Sequence, residues 1–272
     1  HAHPRVAGAP PPQPRLFPSP MSAALALHLH DVSLHFPARR DPRRSLKEWA
    51  IARLKGHADD GVFWALQDID LALSAGDTVG VVGRNGAGKS SLLRLAAGII
   101  TPSRGEVRIW GTVAPVIELS AGFDRELTGR ENVLFNGSLL GIPERELFRR
   151  KDEYIALAQL EEVVDAPLRT YSSGMLARLA FAVATSVRAD IVLLDEVLAV
   201  GDQFFRARCQ GRIAEMCAQG TTLLLVSHDL KTIAQLCRRA VWLEEGRIAA
   251  AGDVTAVLEA YQRSATPRPS TP

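Results

Sequence analysis

The sequence predicts an α/β fold with a mostly parallel sheet at its core, an N-terminal antiparallel β subdomain and an inserted α-helical subdomain. The main observation is that short apolar runs alternate with helical patterns, which is typical of parallel strands joined by helices. Two N-terminal segments alternate apolar and polar residues, as half-buried antiparallel strands do. A long helical pattern interrupts the strand–helix alternation and therefore predicts the insertion.

Composition places the chain among globular proteins. Its 272 residues are 47% hydrophobic and carry a formal net charge of +2, so we expect a sizeable core and no nucleic-acid partner. The longest apolar runs fall short of the roughly 18 to 20 residues that span a bilayer. Cys209, Cys217 and Cys237 lack metal-ligand spacing, and we expect them to be reduced, mostly buried thiols.

Changes in composition along the chain indicate its domain organisation. Residues 1–22 are rich in proline and lack hydrophobic periodicity, so we expect them to be disordered, and we expect the same of the tail at residues 265–272. Residues 23–264 are expected to form the folded domain. Its helical subdomain is expected at about residues 120–186.

Hydrophobic periodicity and turn residues predict the individual elements. Strands are predicted at Leu25–Phe36, Ala65–Leu73, Thr78–Val82, Glu106–Trp110, Ile191–Glu196 and Thr222–His228, with a hairpin at Glu244–Gly246. Helices are predicted at Ser91–Ala97, within Gly129–Ala184 with breaks at Gly141–Pro143 and near Pro167, and at Gln203–Gln219, Asp229–Arg238 and Val254–Arg263. Between the first two strands, Ser45–Lys55 could form an amphipathic helix that packs on its own domain or binds a partner.

The strongest chemical signal is the segment from Gly83 to Ser90. It reads G-R-N-G-A-G-K-S and fits the phosphate-binding pattern G-x-x-x-x-G-K-[ST] without substitution. Because it lies between a predicted strand and a predicted helix, backbone N–H groups and the positive end of the helix would face one anion. Lys89 is expected to reach the β- and γ-phosphates of a nucleotide, and the Ser90 hydroxyl to ligate Mg²⁺. The predicted nucleotide-binding residues here are Gly83, Arg84, Asn85, Gly86, Ala87, Gly88, Lys89, Ser90 and Ser91.

Two later strands end in polar residues that suit phosphate chemistry. The run I-V-L-L-D-E ends in Asp195 and Glu196, and T-L-L-L-V-S-H ends in His228. Ligands of open α/β sheets collect at such strand ends. We expect Asp195 to hold Mg²⁺, directly or through a water, and Glu196 to polarise an attacking water. His228 could contact the γ-phosphate, although a single histidine at a strand end is more often only solvated.

A second anion site is one of two interpretations of the segment Y-S-S-G-M, which starts at Tyr171. Ser172, Ser173 and Gly174 are ordinary helix-capping residues. Backbone N–H groups, a serine hydroxyl and a helix N-terminus would also favour a phosphate. The residues alone leave both interpretations open.

The chain resembles the nucleotide-binding domain of ABC transporters in the order of five motifs: the phosphate-binding loop, Y-S-S-G-M, L-L-D-E, A-V-G-D and V-S-H-D. The similarity extends from about Leu25 to Arg263. In three longer segments the chain is similar to the ATPase subunits of bacterial polysaccharide, O-antigen and teichoic-acid (polyol-phosphate) exporters: E-L-S-A-G-F-D-R-E-L-T-G-R-E-N-V, Y-S-S-G-M and D-E-V-L-A-V-G-D. The resemblance implies a P-loop NTPase of ABC type.

The resemblance also implies roles for single residues. Ser172 and Gly174, with Ser173 between them, match the signature motif, which in the family binds the γ-phosphate of ATP held by a second subunit. Asp202 matches the D-loop aspartate, and His228 matches the switch histidine. Hydrolysis would therefore need a dimer with two ATP molecules between its subunits.

Two further family positions are less well matched. Glu118 occupies the place of the Q-loop glutamine, which in the family contacts Mg²⁺ and couples the nucleotide to the permease. The aromatic residue that stacks on adenine is expected to be Phe36, with Phe63 as the second candidate.

The resemblance also implies a permease contact in the loop after Glu118. Phe123 and Leu127 would dock the permease, or Phe123 would instead anchor its loop to its own domain.

The implied function is that of an ATPase subunit bound peripherally at the cytoplasmic face of the inner (cytoplasmic) membrane. With ATP and Mg²⁺ it would form an ATP-dependent homodimer and drive an integral-membrane permease, expected to be a homodimer itself. The cargo would be a lipid-linked polysaccharide or polyol-phosphate polymer. The alternative is a soluble ABC ATPase of translation or DNA repair. Such proteins are expected to have tandem domains or long coiled-coil insertions, and the absence of both patterns from this sequence disfavours the alternative.

Overall fold

The computed structural model describes residues 24–37, 62–117, 122–196 and 203–265. The expected disorder of residues 1–22, the candidate helix at Ser45–Lys55 and the family positions Glu118 and Asp202 lie outside the described residues. The last helix ends at Ala265, the first residue of the predicted tail, and the rest of that tail is also outside them.

The described elements follow the predicted strand–helix alternation. The strands are β1 (Leu25–Pro37), β2 (Val62–Ser74), β3 (Thr78–Val82), β4 (Arg104–Ile109), β5 (Val113–Val116), β6 (Ile191–Asp195), β7 (Thr222–Val226), β8 (Arg239–Glu244) and β9 (Arg247–Asp253). The helices are α1 (Lys89–Ala96), α2 (Gly129–Leu139), α3 (Glu144–Ala158), α4 (Ser173–Ala184), α5 (Gln203–Ala218), α6 (Leu230–Leu236) and α7 (Val254–Ala265), with a 3₁₀ turn at Leu168–Thr170. The predicted α/β class is confirmed.

The central sheet has the strand order β5-β6-β7-β3-β8-β9, and only its β8–β9 pair is antiparallel. Its inner strands β3 and β7 are buried along their whole length, as their continuous apolar runs require. One face of the sheet packs on α1 and on the N-terminal sheet, and the other face packs on α5, α6 and α7. Strand β5 was not predicted, because it is a short edge strand, V-A-P-V, that contains Pro115.

The N-terminal sheet has the order β2-β1-β4 and is antiparallel throughout, which confirms that prediction. Alternation along its strands buries Leu27, Leu29 and Leu71 completely and turns the intervening side chains to the outer face. Asp31 and Asp68 have positive φ angles of 49° and 51°, and the pairing register shifts beside each of them. These irregularities interrupt the pairing ladder, but the apolar residues Val32 and Ile69 beyond them remain fully buried.

The inserted subdomain consists of α2, α3 and α4 around a core of its own, which includes Tyr154 and Leu179. Helix α2 begins in a capping box, in which the Thr128 side chain accepts from the backbone N–H of Glu131 and the Glu131 carboxylate accepts from the backbone N–H of Thr128. The predicted breaks are confirmed, since α2 ends just before Gly141 and the 3₁₀ turn follows Pro167.

The turn between β8 and β9 joins the two sheets. The Gln67 backbone N–H donates to the Gly246 carbonyl oxygen at 2.8 Å, and the Gly246 N–H donates to the Ala87 carbonyl oxygen at 3.2 Å. Next to it, the Arg247 guanidinium pairs with Asp68 at 2.6 Å and donates to the Gln67 side chain at 2.7 Å. The N-terminal sheet, the β8–β9 hairpin and the segment before α1 are therefore fixed to one another.

The expectation of free thiols is confirmed, and two of the three are buried. Cys209 and Cys237 are buried and Cys217 is half-buried. Burial raises the pKa of the Cys209 and Cys237 thiols to about 12, so both are uncharged core residues.

Candidate functional site

The segment between β3 and α1 is shaped by two glycines that touch neighbouring backbone. A Cβ added to Gly83 would lie 2.3 Å from the carbonyl oxygen of Leu243, and one added to Gly88 would lie 2.5 Å from that of Ala65. Gly88, with a left-handed φ of 102°, is also the residue that caps α1. The chain can therefore turn tightly here, and α1 begins without a side-chain hydrogen bond to its first N–H groups, which suits an anion.

Lys89 is the first residue of α1, and its side chain is buried. Its Nζ donates to the carbonyl oxygens of Gly83 at 2.9 Å and of Arg84 at 3.1 Å. Burial lowers the pKa of Lys89, and the charges of Glu196 and Asp195 oppose that shift. The phosphate-binding pattern therefore contains one ammonium group that lies near the two carboxylates Asp195 and Glu196.

Asp195 is the last residue of β6, next in the sheet to β7, which itself pairs with β3. Burial is the main reason that the pKa of its carboxyl is raised, and the nearby Glu196 charge adds to the effect. A hydrogen bond from Ser90 and the charges of Lys89 and Arg94 act in the opposite direction. A half-buried carboxylate beside a hydroxyl, with a second carboxylate adjacent, fits the all-oxygen ligand set that Mg²⁺ prefers.

Glu196 and His228 form a pair just beyond the carboxyl ends of the neighbouring strands β6 and β7. The Nε2 atom of His228 lies 2.7 Å from Oε1 of Glu196, and both side chains are about half exposed. Glu196 has a left-handed φ of 53°, unusual outside glycine, and its backbone N–H donates to the Val226 carbonyl oxygen at 3.0 Å. This strained turn directs the Glu196 side chain towards the residue that follows β7.

A cleft of about 540 Å³ opens between the phosphate-binding pattern and His228 and is lined by Gly83, Arg84, Asn85, His228 and Tyr261. Four of these residues were predicted from the sequence. Tyr261 was not, because it belongs to the C-terminal helix α7, where one aromatic residue in an amphipathic pattern carries no chemical signal. Its ring packs edge-on against Trp242, with 5.8 Å between ring centroids, which fixes it beside the phosphate-binding pattern.

The two candidates for adenine stacking are direct cross-strand neighbours. Phe36 of β1 pairs in register with Phe63 of β2, and 42% and 59% of their surfaces are exposed. Residues directly opposite in an antiparallel pair share one face, so both rings lie on the same side of the sheet. Within the described part of the chain neither ring lines the cleft, and the choice between them stays a prediction.

Comparison with known proteins identifies the family. The family described as ABC transporter matches residues 66–199. The chain is also 44% identical over 202 residues to the O-antigen export system ATP-binding protein RfbB of Klebsiella pneumoniae, a match that covers 74% of this chain and 82% of that protein. The chain belongs to the ABC transporter family.

Other ABC transporter proteins match over most of the chain. The chain is 41% identical over 237 residues to the ABC transporter protein AbcA of Aeromonas salmonicida, covering 87% of this chain and 76% of that protein. It is 33% identical over 239 residues to the teichoic acids export ATP-binding protein TagH of Staphylococcus saprophyticus, covering 88% and 89%. Among solved structures, the fold is similar to the ATP-binding cassette MJ0796, a dimer with ADP and Pi, with a TM-score of 0.68, 20% identity and coverage of 84% and 98%.

As a member of this family the chain is an ATP-binding subunit and an ATPase. The residues that the fold brings together, Lys89, Ser90, Asp195, Glu196 and His228, provide an ammonium group, a hydroxyl, two carboxylates and an imidazole near the carboxyl ends of β3, β6 and β7. None of the helices within the described ranges is both long and apolar enough to cross a membrane.

The segment that resembles the ABC signature motif lies in the inserted subdomain, at the start of α4. Ser172 is the N-cap residue, and its hydroxyl accepts from the backbone N–H of Met175 at 3.2 Å, so the capping interpretation is confirmed. Ser172 and Ser173 are exposed. The α4 N-terminus therefore remains open to a ligand, and a contact with a phosphate held by another subunit stays a prediction.

The loop expected to face the permease is described only from residue 122 onward. Phe123 is half-buried and packs against the core of the inserted subdomain, which favours the interpretation that it anchors its own loop. In the described part of this subdomain the large apolar side chains that are exposed are instead Phe135, Leu139, Phe148 and, at the margin, Val163. Glu118 and Asp202 lie outside the described residues, and their roles stay predictions.

Proposed function

We propose that this ABC transporter subunit hydrolyses ATP to drive export of a lipid-linked polysaccharide or polyol-phosphate polymer across the cytoplasmic membrane. It would act at the inner face of that membrane, on an integral-membrane permease. The relatives named for O-antigen export and for teichoic acids export support this proposal, because they match about three quarters or more of the chain. A soluble ABC ATPase without a permease is the second candidate.

The Glu196–His228 pair is the observation that carries the hydrolytic part of the proposal. The Glu196 carboxylate would orient the attacking water and accept its proton, while His228 holds the carboxylate through Oε1. Lys89 would bind the β- and γ-phosphates, and Ser90 and Asp195 would hold Mg²⁺. A bound Mg²⁺ would supply positive charge opposite the phosphate oxygens.

The active form in this proposal is a homodimer with two ATP molecules between its subunits. The exposed α4 N-terminus, with Ser172, Ser173 and Gly174, would complete the site of the second subunit. This arrangement would make hydrolysis depend on closure of the dimer. It would also link hydrolysis to the position of the inserted subdomain and of any permease bound to it.

Glu196→Gln tests the hydrolytic assignment. The amide keeps the shape of the side chain but cannot accept a proton, so we expect turnover to fall by about 10²-fold or more while ATP still binds. With ATP, the variant should elute as a dimer in size-exclusion chromatography. Glu161→Gln, the same change at an exposed position of the inserted subdomain, should behave as the wild type. Near-normal turnover in Glu196→Gln would contradict the role of Glu196.

The transport assignment needs a test in cells. In a strain that lacks the subunit, the wild-type gene should restore surface polymer, and Lys89→Ala should leave lipid-linked polymer inside because ATP no longer binds. Affinity purification of the wild type should recover a permease. Normal surface polymer in the absence of the subunit, together with purification of an active ATPase without any permease, would favour the soluble alternative.

A further inference from the structure

A cluster of metal-ligating side chains lies on the outer face of the N-terminal sheet, away from the nucleotide site. His28 and His30 lie on β1, and Asp70 lies on β2. Asp70 Oδ2 is 3.1 Å from His30 Nδ1, and Asp70 Oδ1 is 3.6 Å from His28 Nε2. One ligand atom from each of the three side chains lies within 4.8 Å of the other two.

The strands fix these three residues on one face. His28 and His30 are two positions apart on β1, so their side chains point to the same side, and their ring centroids are 5.5 Å apart. The fully buried Leu27, Leu29 and Leu71 alternate with them and hold both strands against the core. The small Ala72 is the cross-strand partner of His28, which leaves its imidazole room to lean towards Asp70.

We propose that His28, His30 and Asp70 bind a divalent transition-metal ion, for which Zn²⁺ is the reference ion. Two imidazole nitrogens and a carboxylate oxygen are a ligand set that Zn²⁺ accepts, and a fourth position would remain open to water or to a group from another molecule. Ligand atoms around tetrahedral zinc lie about 3.4 Å apart, so small rotations of partly exposed side chains would close the site. Mg²⁺, which prefers oxygen ligands, should not compete.

The charges on the neighbouring strand β4 are compatible with a cation. Arg108 is the cross-strand partner of His28, but its guanidinium is 2.5 Å from the carboxylate of Glu106. Glu106 in turn is the cross-strand partner of His30. Next to the cluster, the carboxylates of Asp70 and Glu106 face one guanidinium, that of Arg108, while the nearby Arg104 is paired with Asp31 at 3.6 Å. This excess of negative charge favours a divalent ion.

The ordinary interpretation is that Asp70 only forms a hydrogen bond with His30 and a longer polar contact with His28. Titration calorimetry of the full chain with Zn²⁺, after treatment with chelator and without nucleotide, separates the two interpretations. The wild type should bind one ion more than the His28→Ala/His30→Ala double variant. Asp70→Asn, which is nearly isosteric, should weaken that site by at least about tenfold, the loss typical of removing even an outer-shell partner.

His35→Ala is the matched control, because His35 is an exposed histidine of the same strand whose ring contacts Trp64 instead of the cluster. It should keep the extra site. The chain has seven histidines, so any background binding by the others should persist in every cluster variant. Equal stoichiometry and affinity in the wild type, Asp70→Asn and the double variant would overturn the proposal.

Thermal unfolding gives a second readout. A site that joins β1 to β2 exists only in the folded sheet, so Zn²⁺ should raise the melting temperature of the wild type and of His35→Ala. The rise should be smaller in Asp70→Asn and absent from the double variant, and a large excess of Mg²⁺ should not reproduce it. A rise of the same size in the cluster variants would show that the ion acts elsewhere.

Discussion

At the scale of single residues, Asp195 lies where the needs of the fold and of the chemistry conflict. Burial raises the pKa of its carboxyl, which means that the folded protein holds the ionised form less well than the unfolded chain does. The adjacent Glu196 charge adds to this cost. A neutral side chain at this position should therefore suit the fold better and the chemistry worse.

Asp195→Asn should raise the melting temperature of the nucleotide-free protein while it abolishes ATP hydrolysis, because the amide relieves the buried charge but is a poor Mg²⁺ ligand. The matched control is Asp190→Asn. Hydrogen bonds from Thr112 lower the pKa of Asp190, so that substitution should instead lower the melting temperature and leave hydrolysis intact. Differential scanning calorimetry and a phosphate-release assay measure both effects. A lower melting temperature for Asp195→Asn would contradict the prediction.

The stability of the two variants relative to the wild type should also depend on pH, with opposite signs. Ionisation of Asp195 does not destabilise the fold below the ordinary pKa of 3.8. The destabilisation develops as pH rises from 3.8 through the raised pKa of the folded state, so Asp195→Asn should become more stable than the wild type over that pH range. The contribution of Asp190 is present above 3.8 and is lost as pH falls through its lowered folded value. The deficit of Asp190→Asn should therefore disappear in acid.

A site residue can be predicted from the sequence when it stands in a local motif. It cannot be predicted when it reaches the site only through packing of distant segments. Lys89, Ser90, Asp195, Glu196 and His228 stand in recognisable motifs or directly after apolar strands. Tyr261 reaches the cleft because α7 packs on β8 and β9, and the partners His28, His30 and Asp70 meet because β1 pairs with β2. Such contacts follow from pairing register, which the sequence does not state.

At the scale of elements, two helices of the inserted subdomain begin with the same kind of cap but are proposed to serve different ends. Thr128 caps α2, and Ser172 caps α4 and lies in the segment that resembles the signature motif. Each hydroxyl satisfies one backbone N–H group at its helix N-terminus. The pair therefore allows a structural role to be separated from a catalytic one.

Thr128→Ala and Ser172→Ala should each cost about 0.5–2 kcal/mol of stability, because each removes the acceptor of a helix N-terminal N–H group. Only Ser172→Ala should also lower the ATPase rate under conditions where the protein is fully folded. Urea unfolding and steady-state hydrolysis provide the two measurements. Unchanged hydrolysis in Ser172→Ala would mean that this serine is a cap and nothing more.

Elements were predictable where hydrophobic periodicity and capping residues agree. The predicted helical segment begins at Gly129, where α2 begins after its capping box, and ends at Ala184, where the apolar pattern of α4 ends. Strand β5 was missed because proline argues against a strand, and only its position at the sheet edge makes Pro115 tolerable. Edge position is a property of the assembled sheet.

At the scale of the whole molecule, the β8–β9 turn connects the N-terminal sheet with the nucleotide site through Gly246. This residue has a φ of 77°, and a Cβ added to it would lie 2.9 Å from the Ala65 carbonyl oxygen. Its N–H group donates to Ala87, which belongs to the phosphate-binding pattern. A change in this turn should therefore alter nucleotide binding although the residue itself lies outside the motif.

Gly246→Ala should destabilise the protein by at least about 1–2 kcal/mol, the cost of a left-handed alanine, and should also weaken ATP binding several-fold. Gly220→Ala is the control: Gly220 has a φ of 96°, but a Cβ there meets nothing within 4 Å, so stability should fall while ATP affinity stays normal. Chemical unfolding and fluorescent-nucleotide titration report the two quantities. Equal ATP affinities in both variants would show that the turn does not support the site.

The short strand β5 has a further consequence for how the molecule behaves in a crowded cell. It forms one outer edge of the central sheet, and Pro115 in its middle has no N–H group to offer. A strand of another molecule could therefore not form a complete hydrogen-bonding ladder with β5. We therefore expect Pro115 to oppose aggregation by strand pairing along this edge. Pro115→Val should shorten the lag time of aggregation in a thioflavin assay.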